Sequence, residues 1–143
     1  REAAAEEGIR ARPDISEAGQ AAIEFRQGDF TADDFELPSA PLVTSSFALF
    51  NCPLARFPLV WRRVADAIPP GGRFAGHLLG PKDSWAQPGE RFRDLTYLDR
   101  AEIDALLAPF EIDWLREEED DSVTPRGEAK HWHIWHIVVR KRP

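Results

Sequence analysis

A chain of 143 residues with 43% hydrophobic content and five tryptophans has the length of one domain and the apolar mass for a packed core, which excludes a disordered chain. Its 25 acidic residues against 18 basic give a formal charge of −7, which excludes a general binder of nucleic-acid backbone, since that needs a basic face. The one cysteine, Cys52, excludes an internal disulfide framework and a multi-cysteine zinc site, and no apolar run approaches the ~20 residues that span a bilayer.

Residues 1–8 are rich in Ala and Glu, both strong helix formers, and Gly8 suits a helix stop. The run has no cap ahead of it and the chain holds no Met, so sequence upstream of Arg1 is expected. Residues 9–22 read as a loop. Residues 22–25 (AIEF) read as a short strand running into Arg26 and ended by Gln27-Gly28-Asp29. Residues 42–49 are β-branched and apolar at their start without clean alternation, the pattern of a strand covered on both faces. Residues 57–68 place Val60, Trp61, Val64 and Ile68 at helical spacing before Pro69-Pro70-Gly71-Gly72 stops them.

Residues 73–79 form the next predicted strand, closed by Gly80-Pro81. The clearest helix spans residues 98–110, with Asp99 as cap, Glu102 as its capping-box partner and a stripe of Ile103, Leu106, Leu107 and Phe110. Residues 111–115 and 131–139 read as two strands, joined by the acidic, turn-rich segment 116–129 and expected to pair antiparallel. Helices alternating with strands in this way indicate an α/β sheet. With no signal-peptide pattern, a cytoplasmic location is the expectation.

Taken in order, these runs resemble one family. Phe25-Arg26-Gln27-Gly28-Asp29-Phe30 resembles the third-strand motif of class I methyltransferases that use S-adenosylmethionine (SAM), and Leu42-Val43-Thr44-Ser45-Ser46-Phe47-Ala48-Leu49 resembles their fourth-strand motif. Pro69-Pro70-Gly71-Gly72-Arg73-Phe74 is similar to their turn into the fifth strand. Gly80-Pro81-Lys82-Asp83-Ser84-Trp85 and Lys130-His131-Trp132-His133 resemble later features of a small-molecule branch near the tellurite-resistance type.

The resemblance implies an open, doubly wound, Rossmann-like sheet in the order 3-2-1-4-5-7-6, mostly parallel with an antiparallel C-terminal strand pair. It also implies SAM as cofactor and a small molecule as methyl acceptor. Pro41 stands where the family often has Asp, and no run reads as the glycine-rich turn after strand one. Residues 1–143 are therefore read as a single domain lacking its first two strands and that loop. Two missing strands at ~4.8 Å spacing would leave a gap of about 14 Å in the sheet. Upstream sequence, or a partner chain as in a homodimer, would fill it. A non-catalytic module of the same fold, completed by a partner chain, stays open as an alternative.

Ligands of open α/β sheets sit at the carboxyl ends of strands. The resemblance gives Asp29 the adenine amino group, Phe30 the ring, and Ser46, Phe47 and Ala48 the methionine part of the cofactor. Taken without it, Asp29 is a capping residue and Phe30 a core side chain. His77 lies within the next strand and Asp83 and Trp85 in the loop after it; these three are the candidates on the substrate side, with His77 suited to general-base work at an ordinary pKa near ~6.5. A satisfied core histidine, a turn-starting Asp and a sheet-covering Trp are the plain readings of the same three. His131 and His133 share one strand face and His136 the other, so no metal site is assigned.

Overall fold

The computed structural model of the chain describes residues 16–124 and 126–143, which fall into two compact units divided after Phe35. The expected helix of residues 1–8 lies outside the described residues. In the first unit a one-turn helix α1, Glu17–Ala21, replaces the end of the expected loop, with Ser16 Oγ accepting the Gly19 amide at 3.1 Å. The strand expected at residues 22–25 does not form. A strand needs a neighbour to take its amides and carbonyls, and no described strand pairs with this one.

The second unit, Glu36–Pro143, is a four-stranded sheet with two helices. In chain order come β1 (Leu42–Ser45), α2 (Phe57–Ala67), β2 (Arg73–Leu79), α3 (Arg100–Leu107), β3 (Phe110–Val123) and β4 (Ala129–Lys141). The sheet order is β1-β2-β4-β3, with β1 parallel to β2 and β4 antiparallel to both its neighbours. The antiparallel C-terminal pair is as expected. The mostly parallel sheet needs correction, because inserting β4 between β2 and β3 makes two of the three pairings antiparallel.

Both helices were expected, but α3 ends at Leu107, and Phe110, expected to close its apolar stripe, opens β3 instead. Pro58 opens α2, and Asp99 and Glu102 form a complete capping box on α3. The crossovers β1-α2-β2 and β2-α3-β3 step across the sheet in the same direction, and right-handed crossovers then put both helices on one face. That face carries Phe74, Leu78, Trp135, Ile137 and Val139, all fully buried or nearly so. Trp61 of α2 lies edge-on to Phe74 at 5.1 Å and to Phe110 at 6.0 Å, and Trp135 Nε1 donates to Leu98 O at 2.8 Å. Within residues 36–143, the doubly wound arrangement is therefore built on one face only. The opposite face carries Ala75, His77, His136 and Val138, all half-buried.

The acidic run 116–121 is not the expected turn. It lies inside β3, which runs to Val123 and pairs with β4 along its whole length. An edge strand tolerates charge, and here the charge meets histidine across the ladder: Glu117 to His133 at 2.9 Å and Asp121 to His131 at 2.8 Å. A bulge between Ile112 and Trp114 is held by Asp113, which accepts from Arg73 at 2.9 Å, and it turns Trp114 onto the face of Val138.

One buried ion pair holds the loop after β2 against the start of β4. Lys130 Nζ and Asp83 Oδ1 are paired, and neither side chain has any exposed surface. Asp83 also accepts the amides of Trp85 at 3.0 Å and His133 at 3.3 Å. The ammonium further donates to Ser84 Oγ and His131 O and lies over the rings of Trp85 at 4.1 Å and Trp132 at 4.5 Å. Gly80 completes the junction. Its amide donates to His133 O at 2.7 Å, and a Cβ there would overlap the His133 ring. Among the described residues no helix is long and apolar enough to cross a membrane.

Two outcomes follow for stability in urea. Asp83→Ala strands a buried ammonium and should cost about 3–5 kcal/mol, whereas Asp83→Leu with Lys130→Met should cost clearly less than Asp83→Ala alone. Equal losses would show that the pair contributes only by packing. Gly80→Ala should cost about 1–3 kcal/mol, since either the loop or the His133 ring must move.

Candidate functional site

The carboxyl end of β1 is where the chain stops being regular. The strand was expected to run to residue 49 but ends at Ser45. Phe47 then takes a left-handed backbone with φ of 49°, a conformation that costs a non-glycine residue about 1–3 kcal/mol and concentrates at functional sites. A 3-10 turn, Leu49–Asn51, follows, and Asn51 Nδ2 donates back to the carbonyls of Phe47 and Ala48 at 3.2 and 3.1 Å. Ser46, Phe47 and Ala48 are consequently presented as an exposed ridge over buried Leu49 and Phe50.

The Phe47 ring stacks on His77 of β2 with centroids 4.5 Å apart and meets Trp132 of β4 edge-on at 6.0 Å. His77 faces His136 at 4.9 Å, and its Nδ1 is buried with no hydrogen-bond partner among the described residues. Burial holds the His77 pKa below the usual imidazole value, the neighbouring His136 adds to this, and Glu118 opposes it. The ring is therefore neutral at neutral pH and carries an unengaged nitrogen. His136 Nε2 lies 3.2 Å from Glu118 Oε2 but out of line for a hydrogen bond. A shallow cavity of about 230 Å³ lies on this face beside Ser46, Ala75, His77 and Trp114.

The aromatic row continues from Trp132 to Trp85 at 5.6 Å and from Trp85 to Phe92 at 5.1 Å. These three rings, with Arg91, Arg126 and Glu128, bound a second cavity of about 400 Å³. His77 and Trp132 occupy the same sheet face by register, as does Ile134, which packs with Leu79 and Phe50 under Trp85 and Trp132. The functional candidates thus cluster on the face away from α2 and α3.

Ser46, Phe47, Ala48, His77 and Trp85 are brought to this one aromatic region. Asp83 lies beneath it, with its carboxylate enclosed by Lys130 and two amides, so it holds the region together and does not face a reactant. Asp29 and Phe30 belong to the other unit. There Asp29 Oδ1 accepts the amide and the hydroxyl of Thr31 at 2.8 and 2.7 Å, the capping role that its residue type suggests, and Phe30 is half-buried. Sequence reasoning missed Arg91, Phe92, Arg126 and the ammonium of Lys130. The signal for the last was present, since Lys130 and Trp132 alternate onto one strand face.

Among the described residues, Glu117, Glu119 and His133 bring their ligand atoms within 4.8 Å of one another. This group is hydrogen-bonded throughout. His133 Nδ1 accepts the Lys82 amide at 3.1 Å, which leaves the proton on Nε2, and that nitrogen donates to Glu117 at 2.9 Å. Glu119 is paired with Lys82, whose ammonium holds the carboxyl below the usual range. The carboxylates beside this histidine are supplied across the ladder, Glu117 as its hydrogen-bond acceptor and Glu119 as the ion-pair partner of Lys82.

No protein-family model and no curated protein matches the chain. Solved structures do. TehB from Haemophilus influenzae superposes with a TM-score of 0.65 at 12% identity, covering 82% of this chain and 40% of that one. A SAM-dependent methyltransferase from Methanosarcina mazei gives 0.63 at 16% identity, covering 96% and 76%. An O-methyltransferase family protein from Burkholderia thailandensis gives 0.56 at 14% identity, covering 98% and 40%. The chain thus spans 40% of the length of TehB and of the Burkholderia protein. Its sheet order β1-β2-β4-β3, with β4 reversed, is the 4-5-7-6 half of the expected order, and the chain has the fold of the class I SAM-dependent methyltransferases.

Proposed function

We propose that the protein transfers a methyl group from SAM to a small molecule. The observation that carries this reading is the strand order β1-β2-β4-β3 with its one reversed strand, joined to likeness with structures named as SAM-dependent methyltransferases. The fit of the cofactor to this chain rests on the end of β1. Ser45 Oγ is buried without a partner among the described residues, and the exposed ridge Ser46, Phe47 and Ala48 follows it directly. These residues would hold the methionine part of the cofactor. Bound SAM supplies a methyl group on a positive sulfur, so the chain's own task is to align the acceptor and take its proton.

His77 is the residue suited to the proton. It is neutral, one ring nitrogen is unengaged, and its ring lies against Phe47 at the strand end. Trp85 forms part of the wall where an acceptor would lie, and Asp83 acts through Lys130 and Trp85 as a positioning residue. An acidic chain suits a small acceptor better than a nucleic acid.

Calorimetric titration of SAM into the full chain should show saturable binding, and an intact protein giving no heat would reject the reading. Phe47→Ala should weaken binding about three- to tenfold, the value of one aromatic contact. His77→Gln should lower kcat/KM by about 10²–10⁴ with little change in SAM affinity. The pH profile gives the sign. The unfolded imidazole titrates near ~6.5 and the folded one lower, so activity and stability that depend on neutral His77 are present above ~6.5 and lost as pH falls through the lowered value. The variant should lack that acid limb.

A further inference from the structure

The cavity of about 400 Å³ beside Trp85 and Trp132 has a lining chemistry of which the methyl-transfer reading uses only Trp85. Three of its walls are flat: Trp85, Phe92 and Trp132, with neighbouring rings 5.1 and 5.6 Å apart and tilted at 55° and 63°. Tilted aromatic walls select a planar ligand, which offers its face to one ring and its edge to another. The two tryptophans are not free to fold away, because the buried Lys130 ammonium is held against both rings and tied to Asp83.

The charge of the rim points to an anion. Arg91 and Arg126 are exposed, and among the described residues neither is in an ion pair. Among the described lining residues Glu128 is their counter-charge, so two positive groups face one negative group on the cavity wall, with Glu90 acting on Lys130 from nearby, on a chain of formal charge −7. Lys130 adds nothing to this balance, since Asp83 neutralises it. Arg126 sits in a turn closed by Thr124, which accepts the Gly127 amide at 2.8 Å through its carbonyl and the Arg126 and Glu128 amides at 3.3 Å through its hydroxyl. A guanidinium on such a turn presents the planar fork that matches a carboxylate.

We propose that this cavity binds the methyl acceptor and that the acceptor is a planar aromatic carboxylate. The ring lies among Trp85, Phe92 and Trp132, the carboxylate meets Arg91 and Arg126, and the Phe47–Trp132 contact joins the cavity to the end of β1. The inference of the acceptor's class rests on the methyl-transfer reading, but binding at the cavity is measurable without it.

The probes are 4-hydroxybenzoate and its neutral amide, 4-hydroxybenzamide, titrated into the full chain with tryptophan fluorescence as readout, with and without saturating SAM. The acid should quench fluorescence and bind about tenfold tighter than the amide or better, the value of a charge-assisted contact. Arg91→Gln with Arg126→Gln should erase that preference and leave amide binding unchanged. Equal affinity for the two probes on the wild-type protein overturns the proposal whatever the variants do, as does a preference that survives the double substitution. SAM heat with no response to the acid rejects the aromatic carboxylate and leaves methyl transfer standing. Acid binding without SAM heat keeps the cavity and rejects methyl transfer.

Discussion

The arrangement at the carboxyl end of the sheet depends on the buried pair of Lys130 and Asp83. Removing two charges from water costs several kcal/mol per ion, and a single pairing seldom repays it. Here the cost is spread over a full set of partners. Asp83 takes two backbone amides, and the ammonium takes a hydroxyl, a carbonyl and two indole faces. Burial still pushes the Lys130 pKa down, against the upward pull of Asp83. A pair that barely repays its own desolvation is better understood as a specifying device than as a source of stability. It fixes one geometry of the loop after β2 against one register of β4, and with it the separation of Trp85 and Trp132.

The same junction explains why β4 must lie between β2 and β3. His133 sends its amide to Asp83, its carbonyl to Gly80, one ring nitrogen to the Lys82 amide and the other to Glu117. A strand that reaches the β2 loop and β3 at one residue has to be their common neighbour. Its reversed direction brings the amino end of β4, where Lys130 and Trp132 sit, to the carboxyl end of β2. The two helices occupy the far face, which leaves the near face to His77, Phe47 and the tryptophans.

Much of this was legible in the sequence where the signal is local. Asp99 and Glu102 three residues apart announce α3, and Arg73–Leu79 between Gly72 and Gly80 is the predicted strand to the residue. The family resemblance supplied the sheet order. What failed depends on partners distant in sequence. Residues 22–25 have strand composition but no described strand beside them, so their pattern had nothing to act on. The acidic run 116–121 looked like a turn because its partners, Lys82, His131, His133 and His136, lie up to 37 residues away in sequence. Of the candidate site, His77 and Trp85 were named from their places in and after the strand 73–79, and Phe47 through the family resemblance. Arg91 and Arg126 were not, since nothing in the sequence around either one announces the tryptophans it lies beside.

Two of the named ionisable residues show how environment divides labour between groups that look alike in a sequence. Asp83 and His77 both lie near the carboxyl end of β2, the first fully buried and the second half-buried with its Nδ1 out of contact with water. Asp83 is met by a cation and amides aimed at its oxygens, so its carboxylate is committed to holding the loop and strand together. His77 is met by rings: Phe47 on its face, His136 on its edge, and no donor or acceptor at Nδ1 among the described residues. A buried polar atom without a partner costs about 1–3 kcal/mol, and a fold that carries such a cost next to a strained Phe47 holds two uncompensated terms at one strand end. The first is relieved if a ligand engages that nitrogen. In the proposed reaction, proton transfer would fall to His77, and Asp83 would keep the walls apart.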